Sequence, residues 1–198
     1  MLDDGTVPPA PLRSDSLDLC GRVALVLAVF VVAGCVGWLY ETAIGLVERG
    51  TADWDHGGLG IPFLQIYAFG AVLIELVFGG REFWRTRPVA CFFAICALTA
   101  VLEYAAGAAM LYGLGVQTWD YRVPGWDFLC TPDGLLCLRG VLSFAVMGML
   151  LLYPLDTGLN RLRVRFPRAF DTAAFGLTAL VVVTMAAAYA FGGTGAFK

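Results

Sequence analysis

Histidine occurs once in this chain, at His56, and lysine once, at Lys198. Charged residues make up only 15% of the 198 positions. Each scarcity excludes something. A single histidine cannot furnish a His-Glu-x-x-His zinc helix, and no Ser-His or Cys-His nucleophile arrangement is recognisable. The six cysteines contain no Cys-x-x-Cys and no Cys/His set at zinc spacing. His56 with Asp53 and Asp55 reads as a solvated turn, because a stable metal site needs three or four ligands fixed in space. There is no Gly-x-x-x-x-Gly-Lys-Ser/Thr loop, so ATP is not bound and hydrolysed by that route. Soluble domains carry roughly a quarter charged residues. The low charge therefore argues against a separate soluble domain. No catalytic residue, metal, cofactor or nucleic-acid partner is expected.

What the chain does have is apolar length. It is 59% hydrophobic, with a mean hydropathy of +0.76. A membrane span needs about 20 mostly apolar residues, and five stretches qualify: Arg22–Val47, Ile61–Phe78, Val89–Leu114, Leu135–Leu155 and Phe170–Phe191. The expected fold is all-α, a polytopic membrane helix bundle of about five transmembrane helices. Residues 1–20 read as a polar tail, 21–192 as one helical domain and 193–198 as a short second tail. Met1 to Asp18 lacks the basic segment and apolar core of a cleavable signal, so the first span is expected to target the chain.

Arginine placement sets the orientation. With the N-terminus inside, the inner segments hold Arg13, Arg22, Arg81, Arg85, Arg87, Arg161, Arg163, Arg165 and Arg168, nine of the 13 basic residues. Arg49, Arg122, Arg139 and Lys198 fall outside. The Arg161–Arg168 run reads as an ordinary positive-inside loop, with anionic lipid headgroups as the alternative ligand.

Three carboxylates interrupt the spans: Glu41, Glu75 and Glu103. A carboxylate at the centre of a membrane helix costs at least a few kcal/mol, so such residues face a bundle interior, a partner or water. Gly34, Gly37, Glu41, Gly45 and Glu48 recur at steps of three and four, which puts them on one helical face. Glycine on that face lets another helix approach closely. Ala68, Ala71, Glu75 and Gly79 make a similar stripe, as do Thr99, Glu103, Ala106, Gly107 and Met110. At 1.5 Å per residue Glu41 lies about 26–28 Å from the inner end of its span and Glu103 about 21 Å, both in the outer half. Glu75 lies about 21 Å below the outer end of its own helix, nearer the inside. Glu41 and Glu103 are expected to share an outer pocket that Glu75 does not reach.

The outer loop adds Trp119, Asp120 and Tyr121, then Trp126 and Asp127. Rings at this depth suit the headgroup layer without any ligand. Acids with aromatic walls also suit a cation. Alternatively each acid bonds a donor on a neighbouring helix, with Tyr40, Tyr67 and Tyr104 available. Both readings stay open, and the candidate ligand-binding set is Glu41, Glu103, Trp119, Asp120, Tyr121, Tyr67, Tyr104 and Glu75. Cys130 and Cys137 flank a short outer segment and are either a disulfide or two free thiols.

The segments Gly37-Trp38-Leu39-Tyr40-Glu41-Thr42, Ile61 to Ala71, Leu102-Glu103-Tyr104 with Gly107, Trp119-Asp120-Tyr121, and Gly134 to Leu138 with Gly148 stand in an order and spacing that resembles the bacterial CmpB-like family. That family is labelled "Putative ABC-transporter type IV" or ABC transporter permease. The resemblance covers about Phe30 to Pro154. Trp126 and Asp127 stand where the family tends to have Asn and Gly, and the insert after them carries Cys130. Tyr67-Ala68 replaces its Tyr-Gly, and Val146-Met147-Gly148 its Trp-Gly.

The resemblance implies transport in a bacterial cytoplasmic membrane, with a separate ATPase docking on Arg81–Arg87 or Arg161–Arg168. A proton-coupled alternative would have Glu41, Glu75 or Glu103 load and release a proton. A non-catalytic binding or assembly protein is the main competing reading, and a membrane-embedded lipid enzyme the third. Expected partners are lipid, a small-molecule or cation ligand, and a second copy of the chain through the small residues Ala186, Ala187, Ala188 and Ala190.

Overall fold

The computed structural model describes residues 19–191, apart from 53 and 56–58. Residues 1–18, the whole tail at 193–198, and the candidate metal ligands Asp53 and His56 lie outside the described residues. Among the described residues the architecture is all-α. Helix α1 runs Leu19–Arg49, α2 Gln65–Phe78, α3 Glu82–Arg85 and α4 Pro88–Ala108. A π-helical turn, Ala109–Gly113, extends α4. Helix α5 covers Leu138–Leu150, α6 Asp156–Arg165 and α7 Pro167–Phe191, with a second π-helical turn, Leu151–Leu155, joining α5 to α6.

Four of the expected five spans are helices long and apolar enough to cross a bilayer: Leu19–Glu48, Pro88–Gly113, Leu138–Arg165 and Pro167–Phe191. The chain is an integral membrane protein. The remaining stretch differs. Helix α2 has 14 residues, about 21 Å against a hydrocarbon core of about 30 Å. The apolar residues before it are not helical, because Gly60 has φ +65° and Leu64 is extended at φ −118°, ψ 112°. Pro62 further disfavours helical backbone at Ile61. This segment packs along α1 instead. Leu64 N donates to Gly34 O at 3.0 Å, and Trp38 Nε1 donates to Trp54 O at 3.2 Å. Phe63 is 1% exposed. Irregular backbone at membrane depth persists where protein buries it or water reaches it, and here α1 covers it.

The fourth span is longer than its sequence suggests. Pro154 lacks an N–H and crowds the preceding turn, which predicts a stop. The π turn around it widens the backbone, and the helix continues to Arg165. The expected loop at Arg161–Arg168 is therefore mostly helical, with Arg163 paired to Asp171 at 2.9 Å.

The core forms where α1, α2, α4, α5 and α7 meet. Ala24, Val29, Cys91, Ile95 and Ala145 are fully buried there, with Ala71, Ile74, Phe170 and Ala174 around them. Small residues on facing helices set the close approach. A Cβ on Gly34 would strike the Phe63 ring, and one on Gly148 would press on Ile95 Cγ2 at 3.0 Å. Helix α7 is peripheral. It leaves Leu180, Val182 and Val183 exposed, as a lipid-facing surface would. Its Thr178 hydroxyl donates back to Leu27 O at 3.5 Å.

Candidate functional site

At the end of the bundle opposite the Arg161–Arg165 segment, four pieces of chain enclose a cavity of about 250 Å³. Helix α1 contributes Tyr40, Glu41, Ile44 and Glu48, one face by its spacing. The first turn of α2 brings Tyr67, the outer loop Thr118 to Tyr121 and Val123, and α5 Arg139, Gly140, Ser143 and Phe144. Gly140 is there because Tyr121 lies on it. A Cβ would meet the phenol ring at 3.1 Å.

Glu41 accepts a hydrogen bond from the Tyr67 hydroxyl. Tyr67 is buried against Gly37, where any side chain would run into its Cβ and Cγ. The glycine stripe of α1 thus admits the α2 tyrosine that meets the acid one turn further on. Glu103 uses a second phenol: the Tyr121 hydroxyl donates to its Oε1. Burial, and then the Glu103 charge, push the Tyr121 phenol well above its usual range, so the proton stays on the tyrosine. Tyr121 is itself fixed from the backbone, where its N–H donates to Gly134 O at 2.9 Å.

Two ion pairs frame the cavity. Glu48, at the end of α1, pairs with Arg139 in the first turn of α5. The Arg139 guanidinium also lies 5.8 Å from the Tyr121 ring centroid and 5.9 Å from that of Trp126. Asp120 pairs with Arg122 at 2.5 Å, and Arg122 also reaches Pro132 O at 2.8 Å. The Arg122 side chain, and then its backbone N–H, hold the Asp120 carboxyl down at about 2. The sign follows: the pair is complete above the ordinary carboxylate value of about 4 and opens only as pH falls through about 2. Gly134, at φ +73°, leaves no room for a Cβ beside Asp120 Oδ1. Cys130 and Cys137 are bonded to each other and close the loop. Trp119 Nε1 donates to Leu135 O at 3.0 Å, fixing the indole under that loop.

Of the residues singled out in the sequence, Glu41, Tyr67, Trp119, Asp120 and Tyr121 line this one cavity. Glu103 stands behind Tyr121 and reaches the cavity only through that phenol. Tyr104 does not take part. It is 41% exposed, and its hydroxyl bonds Asp133 at 3.4 Å on the other side of α4. Glu75 sits toward the opposite end, within electrostatic reach of Asp156 and Arg85. Asp55 accepts the Gly60 N–H at 2.9 Å, and among the described residues no three His, Cys, Asp or Glu side chains are placed to hold a metal. Arg139 and Ser143 escaped sequence reasoning. A guanidinium two residues past Cys137, at the mouth of an apolar run, was the available signal for Arg139; Ser143 had none.

Comparison with curated proteins and with solved structures finds no match. A family profile does match, and it reaches beyond the resembling motifs into the last helix, over residues 28–190. The chain belongs to the family described as "Putative ABC-transporter type IV".

Proposed function

We propose that this protein is a small permease-like subunit of a bacterial cytoplasmic membrane, whose outer cavity receives a small organic cation. One observation carries the reading: the charge balance of the cavity. Glu48 is neutralised by Arg139 and Asp120 by Arg122, whereas among the described residues Glu41 meets only a phenol. One carboxylate is left without a guanidinium, among Tyr40, Tyr67, Trp119, Tyr121 and Phe144. Rings and an acid together attract positive charge, worth about 2 kcal/mol per ring contact where water is excluded. Glu41→Gln keeps an acceptor for Tyr67 and removes the charge. We expect the purified variant to fold normally. Monovalent organic cations should raise the wild-type melting temperature and leave the variant's unchanged. A wild type that responds to none of them rejects the cation.

The assembly reading rests on a different observation, that Glu41, Glu103 and Glu48 are each already bonded to a Tyr or Arg of another segment. It requires Glu41→Gln to melt well below the wild type with no ligand response in either protein.

The chain has no phosphate loop of its own, so energy from ATP has to come from a second subunit. The end bearing Arg81, Arg85, Arg87, Arg161 and Arg165 is the inner one by the arginine rule, and a cytoplasmic ATPase would dock there. A pull-down of the tagged protein from its native membrane in mild detergent tests this. A P-loop ATPase in stoichiometric yield is the expected product, and recovery of the chain alone or only with itself removes the ABC assignment.

A further inference from the structure

A second concentration of buried charge lies where α2 meets the rod formed by α5 and α6. Asp156 is 2% exposed and Glu75 7%. Asp156 is fully matched: it accepts Arg85 Nη2 at 2.7 Å and Asn160 Nδ2 at 2.7 Å. Glu75 is not. Its Oε2 is buried and accepts no hydrogen bond from the described residues. The charged groups acting on it are Asp156 and Arg85, so two carboxylates share one guanidinium. Tyr153, whose hydroxyl donates to Trp84 O at 2.9 Å, and Cys91 are the other titratable groups of this region. Helix α1 presents the apolar Ala24, Leu25 and Ala28 to the same core.

Two features shape the place. The Glu75 carboxyl lies over Gly79, where any Cβ would strike it. The π turn Leu151–Leu155 directly precedes Asp156, and such turns frequently mark functional positions in helices.

An ionised carboxylate buried without a donor costs several kcal/mol. Burial disfavours the charged form of an acid, and so does a second carboxylate nearby. With Arg85 committed to Asp156, the low-energy state of Glu75 is the neutral acid. We propose that Glu75 is a proton-binding site of the inner half, held protonated by the Asp156–Arg85 pair beside it. The site stands whatever occupies the outer cavity. The Arg85 side chain is 38% exposed and that of Asp156 3%, so the guanidinium joins the buried acids to the inner surface. Movement of Arg85 from Asp156 to Glu75 moves the proton from one acid to the other: the Glu75 O–H bond breaks, its electron pair stays on that carboxylate, and the proton passes to Asp156, which has lost its guanidinium.

Infrared spectroscopy of the full chain in lipid nanodiscs at neutral pH tests the site. The wild type is expected to show the carbonyl stretch of a protonated carboxyl, shifted in heavy water, and Glu75→Gln to lose one carboxyl's share of it. Asp156→Asn frees Arg85 to pair with Glu75, so the same share should disappear although Glu75 is intact. A band unchanged in Glu75→Gln means that Glu75 is ionised in the wild type and overturns the proposal. Should Glu75→Gln not fold, Asp156→Asn decides, and a band of wild-type intensity there overturns it equally.

Discussion

Arg139→Ala is expected to destabilise the protein by about 3–5 kcal/mol, the range for removing one partner of a buried ion pair. The Glu48 side chain is only 4% exposed and that of Arg139 21%, so water does not replace the lost guanidinium. The pair also joins the end of α1 to the start of α5, and Arg139 covers the Tyr121 and Trp126 rings. Its loss therefore opens the cavity wall as well as stranding a charge. Replacing both residues with glutamine removes the stranded charge and should recover most of the stability, because a buried pair is worth little more than well-packed neutral groups. Chemical denaturation of the two variants in detergent would measure this. A single mutant within about 1 kcal/mol of the wild type would show the pair to be solvated, as surface pairs are.

Gly37→Leu is expected to be more disruptive than its helix propensity predicts. Removing a glycine from a helix interior gains about 1 kcal/mol. Overpacking a filled site costs about 1–3 kcal/mol, and more for a larger side chain. Steric cost wins at Gly37, because the atoms in the way are Cβ and Cγ of Tyr67, next to its backbone and unable to swing aside. Displacing Tyr67 also removes the phenol bonded to Glu41, a charge-assisted hydrogen bond worth about 1.5–3 kcal/mol. Stability and the cation response should fall together. Gly70→Ala is the control. Nothing lies within 4 Å of a Cβ there, so that variant should melt at or above the wild-type temperature. Equal behaviour of the two glycines would remove the close α1–α2 contact from the account of the site.

The membrane class and the all-α fold were legible in the sequence because apolar character accumulates over some 20 residues, and no single position decides it. The limits of the first, third and last spans follow closely for the same reason. The placement of Glu41 on a glycine face was legible too, since helical period alone determines which residues share a face. Sequence period is silent about the backbone between faces. Ile61 to Leu64 is apolar enough to continue a helix, yet it is not helical, and Leu64 N finds its partner on α1 while the Phe63 ring fills the space beside Gly34. The fourth stretch was expected to end at Leu155, yet a π turn takes in Pro154 and the helix continues to Arg165.

Partner choice was likewise decided only in three dimensions. Glu48 and Arg139 are 91 positions apart and meet because the C-terminal end of α1 meets the N-terminal end of α5. Tyr104 was one of the donors available to an acid, but packing turned it toward Asp133 and laid Tyr121, not offered as a donor, over Glu103. A helical stripe states what one helix offers. The rotation of neighbouring helices about their own axes decides which phenol or guanidinium answers it, and that rotation is set by close contacts such as Tyr67 on Gly37 and Tyr121 on Gly140.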